Sequence, residues 1–329
     1  MPAPDQATNS SLISWPTGPQ RCWPGKILLA GEYSVTHHPF AFTIPLHAWA
    51  GKWHKCPALA TDAWLKFGQW ITQQAWPWLD HERCAAEFAT DHLASDLPQG
   101  QGLGSSGALC AAIYDRYQLD AQPLAANILV KRLAALEGYF HGVSSGFDPL
   151  VSLVERPCAL QHGHLEILPA AACWQLGEHP GPTADPYVIF LWQSPWPRHA
   201  AGLMDFYQQA VRTVATWVAP LAAAQANLAE SLTKLFRADL ASSPAGAKWW
   251  AAVAQNWQAV SQYQQTYLAP MIGPALVAPW SGPDYALKLC GKGGGGMYLG
   301  LAQATADLAY FQQQGKLWFL QRPTSAQTV

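Results

Sequence analysis

The stretch that decides the fold is residues 96–110, which read Asp-Leu-Pro-Gln-Gly-Gln-Gly-Leu-Gly-Ser-Ser-Gly-Ala-Leu-Cys. Three of its glycines alternate with other residues, at positions 100, 102 and 104. Because glycine has no Cβ, such a loop lets the backbone turn tightly and approach a ligand closely. Apolar residues spaced four apart from Leu109 onward predict a helix directly after the loop, with Ser105 or Ser106 as its N-cap. The loop therefore brings backbone N–H groups and the positive end of a helix dipole to one point, which predicts a phosphate site.

Two further glycine-loop types, and a turn without any ligand, compete with this interpretation. Residues 102–107 also spell G-x-G-x-x-G, the pattern of a dinucleotide-binding turn. Residues 96–100 interrupt the required strand-to-helix turn, and no strand ending in an acid follows about 20 residues on. A protein-kinase glycine loop needs a strand after it, whereas a helix is predicted here. A glycine-rich surface turn stays open for this loop taken alone.

The composition is that of a folded globular chain large enough for two domains. Of its 329 residues, 50% are hydrophobic and 12% are charged, which excludes an intrinsically disordered protein. The formal net charge of −2, without any basic block, excludes the electrostatic footprint of a nucleic-acid or anionic-membrane partner. The apolar runs are too short to span a bilayer, and the N-terminus lacks the pattern of a signal peptide. Seven scattered cysteines without C-x-x-C predict free thiols in a cytoplasmic protein, and no metal held by sulfur.

The loop Pro-x-Gly-x-Gly-Leu-Gly-Ser-Ser at 98–106 resembles the ATP-binding motif of the GHMP kinases, the superfamily of galactokinase and of the homoserine, mevalonate and phosphomevalonate kinases. Two further segments of the chain resemble motifs of that superfamily, in the same order. No Walker A sequence occurs in the chain. The resemblance implies that ATP is bound by Pro98, Gly100, Gly102, Leu103, Gly104, Ser105, Ser106 and Gly107.

The first of the two further segments is residues 24–33, Pro-Gly-Lys-Ile-Leu-Leu-Ala-Gly-Glu-Tyr. Its first two residues are typical of a turn and the apolar run is typical of a buried strand, so Lys26 taken alone is a solvated strand end. The family motif has Pro-Gly-Lys, an apolar strand, and then Gly-Glu-His or Gly-Glu-Tyr. The resemblance implies that Lys26 is catalytic and stabilises the nucleophilic oxygen and the phosphoryl group. It also implies that Glu32 and Tyr33 line the substrate side; many mevalonate kinases have His where this chain has Tyr33.

An acidic segment follows the helix predicted over Pro123–Phe140. Glu137 lies near the C-terminus of that helix, where the dipole disfavours a carboxylate, so it requires a positive partner. Asp148 lies in a predicted loop and, taken alone, is typical of a turn. The span from Glu137 to Asp148 resembles the mevalonate kinase segment ending in His-Gly-x-Pro-Ser-Gly-x-Asp, with Ser144 where proline is usual. The resemblance implies three roles: Asp148 as the catalytic residue that accepts or orients the hydroxyl proton, Glu137 and Ser106 as Mg²⁺ ligands, and His141 and Ser145 as substrate-side residues.

The last motif is residues 288–296, Lys-Leu-Cys-Gly-Lys-Gly-Gly-Gly-Gly, with Lys292 where the family has a small residue. Four consecutive glycines are costly in chain entropy, so an ordinary hairpin turn explains them poorly. The resemblance implies that Gly293, Gly294 and Gly295 approach the ATP phosphates, and that Lys292 either adds a phosphate contact or faces solvent. Arg198 follows a predicted strand as in the family's Pro-Arg turn, which implies a substrate-side residue; a surface arginine is the alternative.

The expected fold class is α+β, the two-domain GHMP kinase fold. It combines an N-terminal domain like ribosomal protein S5 with a C-terminal ferredoxin-like domain, and the active site lies in the cleft between them. Residues 1–18 are expected to be a flexible tail, 19–180 the ATP-binding domain and 181–329 the ferredoxin-like domain. The order of strands and helices after residue 187 is the split βαβ pattern that this last domain requires.

The implied function is ATP- and Mg²⁺-dependent phosphorylation of the primary hydroxyl of mevalonate, which yields 5-phosphomevalonate and ADP for isoprenoid precursor synthesis. The implied partners are ATP and a small mevalonate-like alcohol, with no nucleic acid and no membrane, in a monomer or homodimer. Phosphomevalonate kinase is the first alternative, because Gly-Glu-Tyr at 31–33 also occurs in those enzymes. A decarboxylase of the same superfamily and a non-catalytic paralogue stay open as well.

Overall fold

The computed structural model describes residues 11–18, 20–33, 40–55, 61–120, 122–178, 185–199, 202–213, 215–237, 244–273 and 280–322. The chain divides into two compact units, and each unit is assembled from separate segments of sequence. Unit one takes its described residues from 1–26, 45–98 and 104–155. Unit two takes its described residues from 27–44, 99–103 and 156–329. The domain bounds expected from the sequence, near residues 18 and 180, stay a prediction.

In unit one, other helices pack against the helix that follows the glycine loop. Helix α3 contacts both α4 and α5, and the later part of β3 pairs antiparallel with β4, with Gly51 opposite Ser95. Its elements, of which β2 and β3 also enter unit two, are β1 (Leu12–Ile13), β2 (Trp23–Ala30), β3 (Ala41–Lys55), α1 (Asp62–Gln73), α2 (His81–Glu87), β4 (Asp91–Ser95), α3 (Ser105–Tyr117), β5 (Leu124–Ala125), α4 (Ala126–His141) and α5 (Phe147–Val154).

Two sequence expectations in this unit need correction. Residues 12–13 of the expected flexible tail form β1, which pairs antiparallel with β5, and the buried Trp15 donates its indole N–H to Asp115 at 2.7 Å. The polar composition of residues 1–18 as a whole predicts a tail, although the segment contains the buried apolar residues Ile13 and Trp15. Pro24-Gly25 lies inside β2 and not in a turn. Since β2 is the edge strand of the sheet β2-β3-β6-β7, the missing N–H of proline is tolerated there.

Unit two contains the ferredoxin-like sheet that the sequence predicts. Its strands lie in the order β10-β11-β9-β12-β8, and every neighbouring pair is antiparallel. Helix α7 packs along α8, and α8 packs on β10. The elements are β6 (Cys158–Gln161), β7 (His164–Ile167), a 3-10 turn (Ala170–Ala172), β8 (Gln175–Gly177), β9 (Tyr187–Gln193), α6 (Leu203–Thr213), α7 (Ala215–Arg237), α8 (Pro244–Tyr267), α9 (Ala269–Ile272), β10 (Tyr285–Leu289), β11 (Met297–Gln303), α10 (Ala309–Gln314) and β12 (Lys316–Gln321).

Two chain-wide features bear on the class of protein. No helix among the described residues is both long and apolar enough to cross a membrane. The six cysteines in the described part of the chain are all free thiols, as expected from their spacing, and Cys56 lies outside the described residues.

Candidate active site

Helix α3 starts where the glycine loop ends, and its first residue is Ser105. The N-cap is Gly104, whose φ of 79° lies in the left-handed region that favours glycine, and no side chain caps the helix. This corrects the expected serine N-cap: Ser105 and Ser106 are the first two helical residues. A Cβ on Gly104 would lie 2.6 Å from Cγ of Lys26, so the glycine lets the lysine side chain lie against the start of the helix.

Lys26 and Asp148 form an ion pair in unit one. Their Nζ and Oδ2 atoms are 2.8 Å apart, and 6% of the lysine side chain and 32% of the aspartate side chain are exposed. Asp148 lies in the first turn of α5 and not in the preceding loop, because that loop ends at the N-cap Gly146. The helix dipole favours a carboxylate in this position. Gly107 of α3 lies directly beside it, since a Cβ there would be 3.0 Å from Cβ of Asp148.

Glu137 is a buried carboxylate held by two hydroxyls. The Ser106 Oγ donates to its Oε1 at 3.4 Å, and the Ser144 Oγ donates to its Oε2. Burial raises the pKa of Glu137 to about 7, and the charge of Asp148 acts in the same direction, while the two serines and Lys26 act in the opposite direction. Four of the residues proposed for catalysis and metal binding (Lys26, Ser106, Glu137 and Asp148) are therefore brought together within unit one.

The two substrate-side residues expected from the acidic segment have local partners. The Nε2 of His141 lies 3.2 Å from the Ser106 Oγ, which connects it to the same cluster. The Ser145 Oγ accepts from the backbone N–H of Phe147 at 3.3 Å, and the Ser144 Oγ accepts from that of Gly146 at 3.0 Å. Both serines thus stabilise the turn that leads into α5.

The donor set around Glu137 fits a Mg²⁺ ion that arrives with a phosphate ligand. Within the described ranges, no group of three or more His, Cys, Asp and Glu side chains could hold a metal by itself. Mg²⁺ usually takes one or two protein ligands and completes its shell with phosphate oxygens and waters. The Ser106 hydroxyl and the Glu137 carboxylate are oxygen ligands of that kind, and Ser106 Oγ and Glu137 Oε1 lie 3.4 Å apart.

In unit two, the glycine loop at 99–103 lies against the glycine run at 291–296. A Cβ on Gly102 would lie 3.1 Å from the carbonyl oxygen of Cys290, and a Cβ on Gly291 would lie 3.3 Å from the Cα of Gly102. Arg198 connects the two loops, because its Nε donates to the Gly293 carbonyl at 3.0 Å and its Nη1 donates to the Gly100 carbonyl. Two segments far apart in the sequence, both assigned to phosphate binding by resemblance, are therefore in contact.

Gly293, Gly294 and Gly295 are packed tightly against other backbone segments. Gly294 donates to the Met271 carbonyl at 2.6 Å and accepts from the His199 N–H at 2.7 Å. A Cβ on Gly295 would lie 2.7 Å from the carbonyl oxygen of Pro197. This packing by itself accounts for the need for glycine, and an approach of the three residues to phosphate stays a prediction. Of the remaining loop residues, Leu103 is buried and Pro98 is half-buried.

Glu32 differs from the expectation that it lines the substrate side. Its carboxylate pairs with the Lys288 ammonium, and both side chains are 0% exposed. Gln225 donates to Glu32 at 3.1 Å and accepts from the Gly31 N–H at 2.8 Å. Removing one partner of such a buried pair would leave an uncompensated charge, and a substrate-side role of Glu32 stays a prediction. The ring of its neighbour Tyr33 is tilted by 37° against that of Tyr207, with centroids 4.7 Å apart, and the Tyr33 hydroxyl donates to the Lys292 carbonyl.

Sequence reasoning gives no chemical role to Lys288, Gln225 or Ser144, which the structure places in these clusters. Lys288 stands in the third motif without an implied role, and only the structure reveals its partner, because Glu32 lies far from it in the sequence. Ser144 is visible in the sequence only as a departure from the usual proline, and it holds Glu137. The signal for Ser144 is that departure, since a hydroxyl in place of proline adds a hydrogen-bond donor.

Comparisons with known proteins bear on the family and the fold of this chain. Residues 78–156 match the family described as GHMP kinases N terminal domain, and this range contains the glycine loop, Glu137 and Asp148. No curated protein matches the chain in sequence. In fold, the chain is similar to L. major mevalonate kinase in complex with R-mevalonate, with a TM-score of 0.53, 15% identity, and 96% of this chain and 100% of that chain covered.

Two further solved structures have similar folds. For Methanococcus jannaschii mevalonate kinase the TM-score is 0.54 at 12% identity, over 94% of this chain and 100% of that chain. For Streptococcus pneumoniae phosphomevalonate kinase in complex with phosphomevalonate and AMPPNP it is 0.56 at 13% identity, over 89% and 94%. The predicted resemblance and the two-domain GHMP kinase fold are thereby confirmed. At these identities the likeness concerns the fold.

Proposed function

We propose that this chain is an ATP-dependent kinase that phosphorylates the primary hydroxyl of mevalonate, yielding 5-phosphomevalonate and ADP. The observation that carries the proposal is the 2.8 Å ion pair between Lys26 and Asp148, beside the first turn of α3. A carboxylate base, a fixed positive charge and the N–H groups of a helix start are the parts that phosphoryl transfer to an alcohol requires. The AMPPNP bound to a phosphomevalonate kinase of similar fold supports ATP as the donor.

In the proposed reaction, Asp148 orients the acceptor hydroxyl and accepts its proton. The hydroxyl oxygen forms a bond to the γ-phosphorus while the bond between that phosphorus and the β,γ-bridging oxygen breaks, so ADP leaves. Proton acceptance by a positioned carboxylate contributes about 100- to 10,000-fold to such steps. The contact with Gly107 and the place in the first turn of α5 fix the carboxylate relative to the start of α3.

Lys26 has two roles in this proposal. Its ammonium holds the Asp148 carboxylate in one position, and it places a positive charge where negative charge develops on the transferred phosphoryl group. Only 6% of its side chain is exposed, so solvent screens this charge weakly.

The start of α3 would hold the phosphates through its first N–H groups and the helix dipole. Ser106 and Glu137 would hold Mg²⁺, and the ion when bound supplies positive charge to the β- and γ-phosphate oxygens. The 3.4 Å distance between the Ser106 Oγ and the Glu137 Oε1 supports a shared cation at this place.

A substrate panel tests the proposal. The purified chain is mixed with Mg·ATP and, in turn, mevalonate, 5-phosphomevalonate and 5-diphosphomevalonate, and ADP release is followed. Release that depends on mevalonate alone is expected. Phosphate and CO₂ from diphosphomevalonate would indicate a decarboxylase, and the absence of acceptor-dependent ADP release with every compound would overturn the proposal.

Phosphomevalonate kinase is the second candidate, and Tyr33 favours it. Gly-Glu-Tyr at 31–33 is seen in phosphomevalonate kinases, whereas many mevalonate kinases have His at the third position. ADP release with 5-phosphomevalonate but not with mevalonate would establish this second candidate in place of the first.

A further inference from the structure

Two cationic residues lie at the Gly291 turn of unit two. The Nη2 of Arg198 would lie 3.9 Å from a Cβ on Gly291, and the exposed Lys292 is the next residue in the chain. Gly291 itself lies against Gly102 of the glycine loop, with 3.3 Å between its Cβ position and the Gly102 Cα. Both cations therefore lie next to the contact between the two glycine-rich loops.

Within the described part of the chain, no ion pair with an acid balances the charge of these two side chains. Glu32, the acid of the neighbouring motif, is already paired with Lys288 and bonded to Gln225. Among the residues that the structure describes, no carboxylate forms an ion pair with Arg198 or Lys292. Burial lowers the pKa of Arg198, and the other groups that act on it, Cys290 and Tyr33, are ordinarily neutral at pH 7.

Hydrogen bonds hold the side chain of Arg198 and the backbone of Lys292 in place. Arg198 donates from Nε to Gly293 and from Nη1 to Gly100, so its guanidinium is fixed with Nη2 toward Gly291. Tyr33 donates its hydroxyl to the Lys292 carbonyl, which fixes the turn from which the lysine side chain extends. Two of the positions where the chain departs from the mevalonate kinase pattern, Tyr33 and Lys292, are thus hydrogen-bonded to each other.

We propose that Arg198 and Lys292 form a phosphate-binding subsite at the Gly291 turn, with Tyr33 as the positioning residue that holds Lys292. An arginine and a lysine at one turn, with no ion-paired carboxylate among the described residues, suit a group that carries at least two negative charges. The chemistry that the subsite recognises is a phosphate group. Its source is either the nucleotide or a phosphorylated acceptor, and in both cases the inference rests on the proposed function.

Inorganic pyrophosphate is the first probe, because its binding does not depend on catalysis. Calorimetric titration of the full chain should show that Lys292→Ala weakens pyrophosphate binding about tenfold, the usual size of one lost charge-assisted hydrogen bond. Lys292→Arg, which keeps the charge, should stay within about threefold of wild type. Lys316→Ala, which removes an exposed lysine from the start of β12 in the same unit, is the matched control and should leave binding unchanged.

Pairs of ligands that differ by phosphate groups identify the source. If the nucleotide phosphates occupy the subsite, Lys292→Ala weakens ATP about tenfold and leaves AMP nearly unchanged. If a phosphorylated acceptor occupies it, the same variant weakens 5-phosphomevalonate and leaves mevalonate unchanged. Tyr33→Phe should weaken the same phosphorylated ligand, relative to its partner with fewer phosphates, by a smaller factor than Lys292→Ala does. It should do so without lowering Tm, an effect that a purely structural role would not produce.

The inference and the proposed function fail in different ways. If Lys292→Ala alters neither pyrophosphate affinity nor either ligand ratio in an enzyme that phosphorylates its acceptor, the subsite is wrong and the kinase stands. If pyrophosphate binds through Lys292 but no acceptor is phosphorylated, the subsite stands and the kinase is wrong. A Tm equal to that of wild type for each variant excludes misfolding as the cause of weakened binding.

Discussion

Glu137 is the residue whose charge depends most on its surroundings. Burial first, and then Asp148, raise its pKa to about 7, above the value of about 4.3 expected for an unfolded chain. Because the charged form is disfavoured in the folded state, this group stabilises the fold less as the pH rises from about 4.3 to about 7. A metal ion needs the carboxylate, so binding a cation at Glu137 must expel a proton below that pH.

We expect Mg·ADP binding to release about 0.9 proton at pH 6 and almost none at pH 8.5, given a pKa near 7. Calorimetry in two buffers of different ionisation enthalpy measures this number. In Glu137→Gln the release should disappear. Equal proton release in the variant and in wild type would show that another group titrates.

Asp148 is the residue on which turnover should depend most. Asp148→Asn keeps the size of the side chain but removes the base, so kcat should fall by on the order of 100-fold or more. Nucleotide affinity, measured by titration, should change little. Asp62→Asn is the matched control, since Asp62 is an exposed acid in the first turn of α1 and should leave kcat unchanged. Retained turnover in Asp148→Asn would exclude this residue as the base.

Helix α3 packs on α5 beside the carboxylate proposed as the base, and Gly107 lies at this contact. A Cβ at this position would lie 3.0 Å from both the backbone carbonyl carbon and Cβ of Asp148 and 3.1 Å from the nitrogen of Pro149. Gly107→Ala should therefore lower the free energy of unfolding by about 1–3 kcal/mol, as overpacking does, and should reduce kcat as well. Denaturant unfolding and steady-state kinetics measure the two effects.

Gly138 in α4 provides the control for that substitution, because a Cβ there meets nothing within 4 Å. Gly138→Ala should stabilise the protein by up to about 1 kcal/mol, since alanine is the better helix former. If both variants changed stability in the same direction, close packing at Gly107 would not be the cause.

The elements that the sequence predicts best are those with a strong period. Apolar spacing over Pro123–Phe140 predicts a helix that the structure has as Ala126–His141, and β9 agrees with the predicted strand at 187–192. The errors occur where local chemistry is ambiguous. Pro24-Gly25 is typical of a turn, but an edge strand accepts it. Gly142 and Gly146 predict a loop around Asp148, yet α5 begins directly after the second glycine.

At the scale of the whole molecule, the buried pair of Glu32 and Lys288 joins residues 256 positions apart. Lys288→Met would leave the carboxylate buried without its partner, so the free energy of unfolding should fall by about 3–5 kcal/mol. The double variant Glu32→Gln with Lys288→Met removes both charges and should recover much of this loss. Urea unfolding of both variants and of wild type checks the prediction. It fails if the double variant is no more stable than Lys288→Met.

The site could be predicted only in part, for a physical reason. Lys26, Ser106, Glu137 and Asp148, which unit one brings together, are identified through the family resemblance, since each has an ordinary structural explanation when taken alone. Partners such as Lys288 for Glu32 depend on contacts between distant parts of the chain, and spacing along the sequence carries no information on them. For the same reason, the sequence does not reveal that segments 27–44 and 99–103 belong to unit two.

This segmented construction of unit two has a consequence for synthesis on the ribosome. All segments of unit one have been translated once residue 155 is made, whereas Glu32 has to wait for Lys288, which is 256 residues later. At about 5–20 residues per second, that delay is roughly 13–50 s. For this time the nascent segment after β2 carries a carboxylate without its buried partner. Unit one can therefore reach its native contacts while unit two still lacks residues that have not been synthesised.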